Sequence, residues 1–371
     1  MNKQKFYRLE NLNDSVDADY RILLGERSNG KSYAVKERAI RNAWNDEKGN
    51  SKFMIVRRWG MELKSSSIEQ YFVDAPITAI TNNECNTVKC IGGKIFLAYY
   101  DNETRKTTCV RHVGYYRDLC GEQHFVSQNF DDVIMIIFEE FISRDYYLPQ
   151  ETIKFMNFVS TVARRRRIPV YMIGNTISRV CPYFVDWELT RVPKQKQGTI
   201  DLYEIHTGNF DDETHEEIIV RISVEYCENS GKNSKMFFGK SSNMITSGTW
   251  QVKEHAQLDG HLNDYCVMHK IIFIHTGFKF QMFFVQPKTG GLPLWYVRPF
   301  TDNVKDQKLR SERFVVHTFK ESIGLPSDMV TIGFKPLTPE ENETFKYLDR
   351  LTFSDNLTGT DFDTCYQTIN R

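Results

Sequence analysis

The chain has 371 residues, 40% of them hydrophobic and 13% aromatic, with 48 basic and 48 acidic side chains and no net charge. This composition excludes a disordered or collagen-like chain, and the length suffices for more than one core-forming domain. Residues 1–200 hold 30 Lys/Arg against 24 Asp/Glu and residues 201–371 hold 18 against 24, giving +6 and −6, so any face for a polyanion belongs to the N-terminal half.

The first predicted element is the apolar strand Ile22-Leu23-Leu24, followed at once by Gly25-Glu26-Arg27-Ser28-Asn29-Gly30-Lys31-Ser32. This octet fits GxxxxGK[ST], and Ala34, Val35, Ala39, Ile40 and Ala43 recur after it at helical spacing. Strand, glycine loop and helix are the context that a phosphate-cradling loop requires. In such a loop the backbone N–H groups and the helix N-terminus face phosphate, Lys31 reaches the terminal phosphates, and the Ser32 hydroxyl ligates Mg2+. All eight residues, Gly25, Glu26, Arg27, Ser28, Asn29, Gly30, Lys31 and Ser32, are therefore candidate ATP contacts.

Phe53–Val56 reads as the second strand, with Arg57-Arg58 at its end. Lys94–Tyr100 and Thr107–Val113 flank the polar turn 101–106 and predict a β-hairpin that projects from the domain. Val133–Phe138 is apolar throughout, as a parallel strand covered on both faces is, and ends in Glu139-Glu140. In phosphoryl-transfer enzymes one acid at such a strand end holds the metal shell and its neighbour polarises the attacking water. Glu139 is assigned to the metal and Glu140 to the general base. The usual first acid is Asp, so Glu139 sets its carboxylate one methylene farther out.

The next helix is expected to place Ile153, Met156, Phe158, Val159 and Val162 on its apolar side and to close with Arg164-Arg165-Arg166-Arg167. Such a cluster either caps the helix dipole or supplies a cation to a neighbouring subunit's phosphate. Strand Pro169–Ile173 then ends in Gly174-Asn175. Asn175 is a candidate to sense the γ-phosphate or orient water, provided its strand lies between the loop strand and the Glu139 strand. Residues 1–200 are thus expected to form a parallel α/β domain.

The polar stretch Pro193–Gly198, the acidic run Asp211–Glu217 and the Gly/Ser/Asn-rich segment Asn229–Ser234 predict a small linker domain over 201–258. Strands Lys270–His275, Lys279–Val285 and Leu294–Val297 open a third domain, 259–371, with a helical tail. Those three strands carry no acid, so a two-metal nuclease is not expected there. Eight cysteines show neither CxxC pairs nor zinc-type spacing, which reads as reduced intracellular thiols without structural metal. No run of about 18 apolar residues occurs, and the N-terminus lacks the apolar core of a secretion signal, so a soluble protein of the cytoplasm without membrane contact is expected.

Together GERSNGKSYAVK, FMIVRRWGMEL, IIFEEF with Tyr147-Leu148-Pro149, TVARRRRIPVYMIGN and Cys181-Pro182-Tyr183-Phe184 resemble the genome-packaging (DNA encapsidation) ATPases of phi-29-like podoviruses, relatives of the large-terminase ATPases. Beyond Ile200 the likeness shrinks to fragments such as His275–Phe278. The resemblance implies a P-loop NTPase domain of the additional-strand, conserved-glutamate (ASCE) type, a linker, and a C-terminal domain similar to a degenerate RNase H nuclease. It further implies a homopentameric ring in the host cytoplasm, docked on the procapsid portal, in many members through a packaging RNA, that pumps double-stranded DNA at the expense of ATP and Mg2+. Carried over by position, Lys31, Ser32 and Glu139 serve phosphate and metal, Glu140 is the catalytic glutamate, and Arg164 acts in trans. The family's second trans-acting cation, a lysine, finds Val126 in its place, and no lysine lies between Lys106 and Glu139. Candidate DNA contacts are Lys64 and the hairpin tip, Arg105 and Lys106. Two other classes use the same residues: a small-molecule kinase with Arg164–Arg167 as a lid, and a non-hydrolysing, nucleotide-gated structural ring.

Overall fold

A computed structural model describes residues 6–12, 16–121, 128–143, 147–176, 178–211, 214–228, 250, 252–275, 277–300, 313–336 and 338–369. The chain divides into two compact units, Met1–Ile177 with Cys181–Trp250, and Ser178–Val180 with Gln251–Arg371.

In the first unit β1 (Tyr20–Gly25), β2 (Lys52–Arg57), β3 (Thr87–Ile91), β4 (Lys94–Asp101), β5 (Lys106–Asp118), β6 (Val133–Glu139), β7 (Val170–Asn175), β8 (Thr199–Phe210) and β9 (Glu217–Tyr226) form one sheet. Its order is β3-β4-β5-β2-β6-β7-β1-β9-β8. The strands from β5 to β9 in that order run parallel, and β3, β4 and β8 join antiparallel to their neighbours. The helices are α1 (Lys31–Asn45), α2 (Ser65–Tyr71), α3 (Ile77–Ile80), α4 (Glu151–Ala163) and α5 (Pro182–Asp186).

Successive strand residues point to opposite faces, and both faces of the sheet are covered. Ile22, Leu24, Met54, Val56, Ile136, Phe138 and Met172 pack with Phe155, Phe158 and Val162 of α4 and with Tyr183 and Phe184 of α5. Leu23, Phe53, Ile55, Met135, Ile137 and Ile173 pack with Ala34, Val35, Ala39 and Ile40 of α1. Burial on both sides is why these strands are apolar without alternation. Parallel pairing sets the ends of β1, β2, β6 and β7 along one edge, in the register Gly25↔Asn175, Glu139↔Ile173 and Val56↔Phe138. β7 lies between β1 and β6, the placement on which a role for Asn175 depends.

Two expectations differ from what is found. On α4 the buried stripe is Thr152, Phe155, Phe158 and Val162, whereas Ile153 and Met156 are 49% and 42% exposed. Phe155 sets the centre of the stripe, and Ile153 and Met156 fall to its flank. The sheet also continues past residue 200, because β8 and β9 complete it within a stretch expected to form a separate linker domain. β9 pairs with β1 and buries Ile222, Val224 and Tyr226, while β8 is a largely exposed edge, so its polarity resembles a connector. The Asn229–Ser234 segment lies outside the described residues.

In the second unit β10 (Tyr265–His275), β11 (Phe278–Pro287), β12 (Leu294–Pro299), β13 (Arg313–Val316), β14 (Val330–Ile332) and β15 (Leu351–Phe353) form a sheet of order β14-β13-β10-β11-β12-β15, with α6 (Pro339–Phe345) and α7 (Asn356–Ile369). β10, β11 and β12 are antiparallel, and β13 runs parallel beside β10. The tail is therefore not helical alone: β13–β15 are three or four residues each, too short to announce themselves by periodicity. Phe362 of α7 packs against Phe273, Phe280 and Phe353. None of these described strands carries an Asp or Glu.

Candidate functional site

The glycine loop joins β1 to α1 at the edge where the parallel strands end. Gly25 and Gly30 have φ of 152° and 105°, and a Cβ on Gly30 would strike the Tyr7 carbonyl oxygen. Glycine at position 30 therefore serves two needs, a left-handed turn and room for the N-terminal segment. Tyr7 N donates to Asn29 O at 2.8 Å, and the buried Tyr7 hydroxyl donates to Glu225 Oε2 of β9 at 2.8 Å, strapping this segment over the loop.

Inside the loop Lys31 N and Lys31 Nζ both donate to Asn29 Oδ1, at 3.2 and 3.1 Å, and Nζ also donates to Glu26 O at 2.7 Å. Burial pushes the Lys31 ammonium down to about 8, against the pull of Glu139 and Glu26. These are the donors that the motif presents to phosphate, and they converge on one acceptor oxygen. Asn29 Nδ2 is buried without a hydrogen-bond partner. Glu26 is buried, whereas Arg27 and Ser28 are exposed.

Ser32 Oγ donates to Glu139 Oε2 at 3.2 Å. Two oxygen ligands in adjacent positions of an octahedral Mg2+ shell, each about 2.0–2.1 Å from the ion, stand about 3 Å apart. The pair thus fits a hard divalent cation, and the longer Glu139 side chain reaches Ser32 rather than overshooting it. Glu139 is 5% exposed, and its second oxygen, Oε1, accepts from the Tyr71 hydroxyl of α2. Burial, with the Glu139 charge beside it, holds that phenol well above its usual range. Lys36 lies 4.4 Å from the Tyr71 ring centre, donates to Tyr71 O at 2.7 Å and pairs with Asp74, so the phenol sits in a fixed frame.

Glu140 sits just past β6 with φ of 55°, an uncommon conformation for a non-glycine residue. Its Oε2 pairs with Arg57 Nη1 at 3.1 Å. Arg57 also lies over the Tyr71 ring at 5.7 Å. Burial opposes its charge, but Glu139 and Glu140 outweigh burial and raise its pKa. Arg58 turns the other way. Its Nε and Nη2 donate to Glu151 at 2.7 and 2.9 Å, Nη2 donates to Phe141 O at 2.6 Å, and Nη1 donates to Glu140 O at 3.3 Å. Glu151 in turn accepts from Tyr183 OH at 2.9 Å and from Leu148 N at 2.7 Å.

The four arginines after α4 differ in their engagements. Arg166 donates to the carbonyls of Phe130, Asp131, Val133, Val162 and Ala163, and Arg167 pairs with Asp17 and Asp19. Arg164 is exposed; its main-chain N donates to Ser160 O at 2.9 Å and its Nη2 donates to Gln128 O at 2.8 Å, while Arg165 is exposed at φ 68°. Among the described residues, Arg164 and Arg165 thus keep the fewest side-chain partners of the four.

Asn175 ends β7 opposite Gly25, at the site. Arg105 and Lys106 stand exposed at the β4–β5 turn, and Lys64 is exposed at the N-cap of α2, so these candidate DNA contacts occupy separate elements. Val126 lies outside the described residues. Sequence reasoning gave Arg57 and Arg58 no specific role and missed Tyr71 and Glu151; two cations at the end of one parallel strand and two acids at the end of the next were the available signal.

In comparison with known proteins, the family model described as Podovirus DNA encapsidation protein (Gp16) matches residues 1–216. A DNA packaging protein of Bacillus phage B103 is 27% identical over 264 residues, which cover 64% of this chain and 75% of that protein. Among solved structures, the bacteriophage Phi-29 viral genome packaging motor assembly aligns with a TM-score of 0.49 at 18% identity, covering 98% of this chain and 99% of that one. The Phi-28 gp11 DNA packaging motor aligns with a TM-score of 0.48 at 16% identity, covering 98% of each chain. With the family model spanning more than half of its length, this chain belongs to the podovirus DNA encapsidation protein (Gp16) family.

Proposed function

We propose that the chain is the ATP-hydrolysing subunit of a phage DNA packaging motor, acting as a homopentameric ring on the procapsid portal and driving double-stranded DNA inward. The observation that carries this reading is the meeting of Ser32, Glu139 and Glu140 beside the Lys31 loop, a phosphate cradle and two differently engaged carboxylates at one sheet edge. Lys31 and the loop N–H groups hold the phosphates. Ser32 and Glu139 hold Mg2+, which when bound neutralises charge between the phosphates. Glu140 takes the proton of the attacking water, and Asn175 orients that water. An outward arginine from the adjacent subunit, Arg164 by position, stabilises charge on the transferring phosphoryl group. Lys64, Arg105 and Lys106 contact DNA phosphates.

The C-terminal unit is read as an RNase H-like domain without nuclease activity. Its antiparallel β10–β11–β12 centre with β13 and β14 parallel on the β10 side supports that fold, and the absence of acids from its described strands supports the loss of metal-dependent cleavage. Subunit mixing tests the motor. Arg164→Ala and Glu140→Gln subunits, each inactive alone, should restore hydrolysis when combined, because a Glu140 from one and an arginine from the other complete a shared site. No recovery, with both variants folded and assembled, would defeat an arginine supplied in trans.

A further inference from the structure

The Glu139 carboxylate turns about one bond more than that of the commoner Asp, and its terminal torsion is broad and roughly two-fold. Left to itself such a group offers either oxygen, or both, to a cation. Here the two oxygens are divided: Oε2 accepts from Ser32 Oγ at 3.2 Å, and Oε1 accepts from the Tyr71 hydroxyl. Tyr71, the last residue of α2, is itself held from several elements. Lys36 of α1 donates to its carbonyl oxygen at 2.7 Å and lies 4.4 Å from its ring centre, and Arg57 of β2 lies 5.7 Å from the same ring. The next residue, Phe72, is buried and packs against Phe53 of β2 with ring centres 5.9 Å apart. Glu69 of the same helix accepts from Cys90 N of β3 at 2.9 Å. The direction of the phenol is thus fixed from α1, β2 and β3. Divalent cations differ in what they ask of a carboxylate: Mg2+ demands near-ideal octahedral geometry, which the narrow two-oxygen bite distorts, whereas the larger Ca2+ accepts a carboxylate through both oxygens.

We propose that Tyr71 is a positioning and metal-selecting residue: by occupying Oε1 it leaves Glu139 a single oxygen for the cation, and so favours Mg2+ over Ca2+. The inference rests on the reading of Ser32 and Glu139 as the metal ligands. It also gives the longer acid a reason to work here, because the phenol supplies the restraint that the extra methylene removes.

The test uses the full chain and a fluorescent, non-hydrolysable ATP analogue. Its Kd is measured in Mg2+, in Ca2+ and in EDTA for wild type, Tyr71→Phe, Glu139→Asp and Glu139→Gln, beside the melting temperature. Tyr71→Phe keeps the ring and removes the hydroxyl. It should lower the ratio of the Ca2+ Kd to the Mg2+ Kd by about tenfold, the weight of one hydrogen bond to a charged group, with a melting temperature close to wild type. A merely structural tyrosine would instead weaken binding with both metals alike. An unchanged ratio, or such a parallel loss, overturns the selecting role alone. Should Tyr71→Phe fail to fold, Glu139→Asp decides, since its carboxylate retracts from Tyr71 and must lower the same ratio. Glu139→Gln should remove most of the affinity that Mg2+ adds over EDTA. A gain that survives there in full overturns this inference and the ligand assignment together.

Discussion

Ser32 and Glu139, 107 positions apart in the chain, meet at 3.2 Å across the gap between the glycine loop and the end of β6. The contact exists because Glu139 carries the extra methylene, and its other oxygen is held by Tyr71. Glu139→Asp, although it restores the commoner acid, should retract the carboxylate from both partners. The expected result is a hydrolysis rate lowered by tenfold or more, on the order of 1.4 kcal/mol of lost stabilisation, with the half-saturating Mg2+ concentration raised. Steady-state kinetics over a Mg2+ titration check this, and an activity equal to wild type would contradict it.

Arg58 and Glu151 form a pair whose side chains are 6% and 1% exposed. Removing one partner from a buried pair strands the other charge and costs about 3–5 kcal/mol. Arg58→Ala should therefore lower unfolding free energy by that order in chemical denaturation. It should also release the strained Glu140 backbone, which loses its Arg58 donor. An unfolding midpoint like that of the wild type would contradict the structural role.

The arginine cluster separates by stability. Arg166→Ala leaves up to five carbonyl acceptors without their shared donor and should lower the melting temperature by several degrees. Arg164→Ala and Arg165→Ala should leave it nearly unchanged while reducing hydrolysis in the assembled state. Thermal melts alongside assembled-state ATPase rates distinguish the two classes.

His275 ends β10 fully buried, its ring centre 4.4 Å from that of His317 on the adjacent β13 side. Burial, reinforced by His317, pushes its imidazole from 6.5 down to about 3. The folded chain therefore resists taking up a proton that the unfolded chain binds below pH 6.5, so stability present above that pH is lost as the solution is acidified. The slope from this one group is at most about 1.4 kcal/mol per pH unit. Melting temperatures at pH 7, 6 and 5 should fall less steeply for His275→Leu than for wild type, and equal slopes would contradict the shift.

The strand, loop and helix around Lys31 were legible because a local motif and a local period coincide there, and Glu139-Glu140 because an apolar strand stops in acids. Arg57, Arg58 and Tyr71 were not, since what they touch depends on β2 lying beside β6, and strand order is a long-range outcome. The stretch that holds β8 and β9 reads as a linker because β8, an edge strand exposed along most of its length, has little apolar pattern to read. On α4 the apolar residues outnumber those the sheet can cover, so composition alone misplaced Ile153 and Met156.

Hydrolysis per chain, measured against subunit concentration with and without double-stranded DNA, tests the motor most directly. Turnover should rise with subunit concentration as neighbours complete each other's sites, rise again with DNA, and vanish in Glu140→Gln. A turnover that is independent of concentration and indifferent to DNA would contradict it.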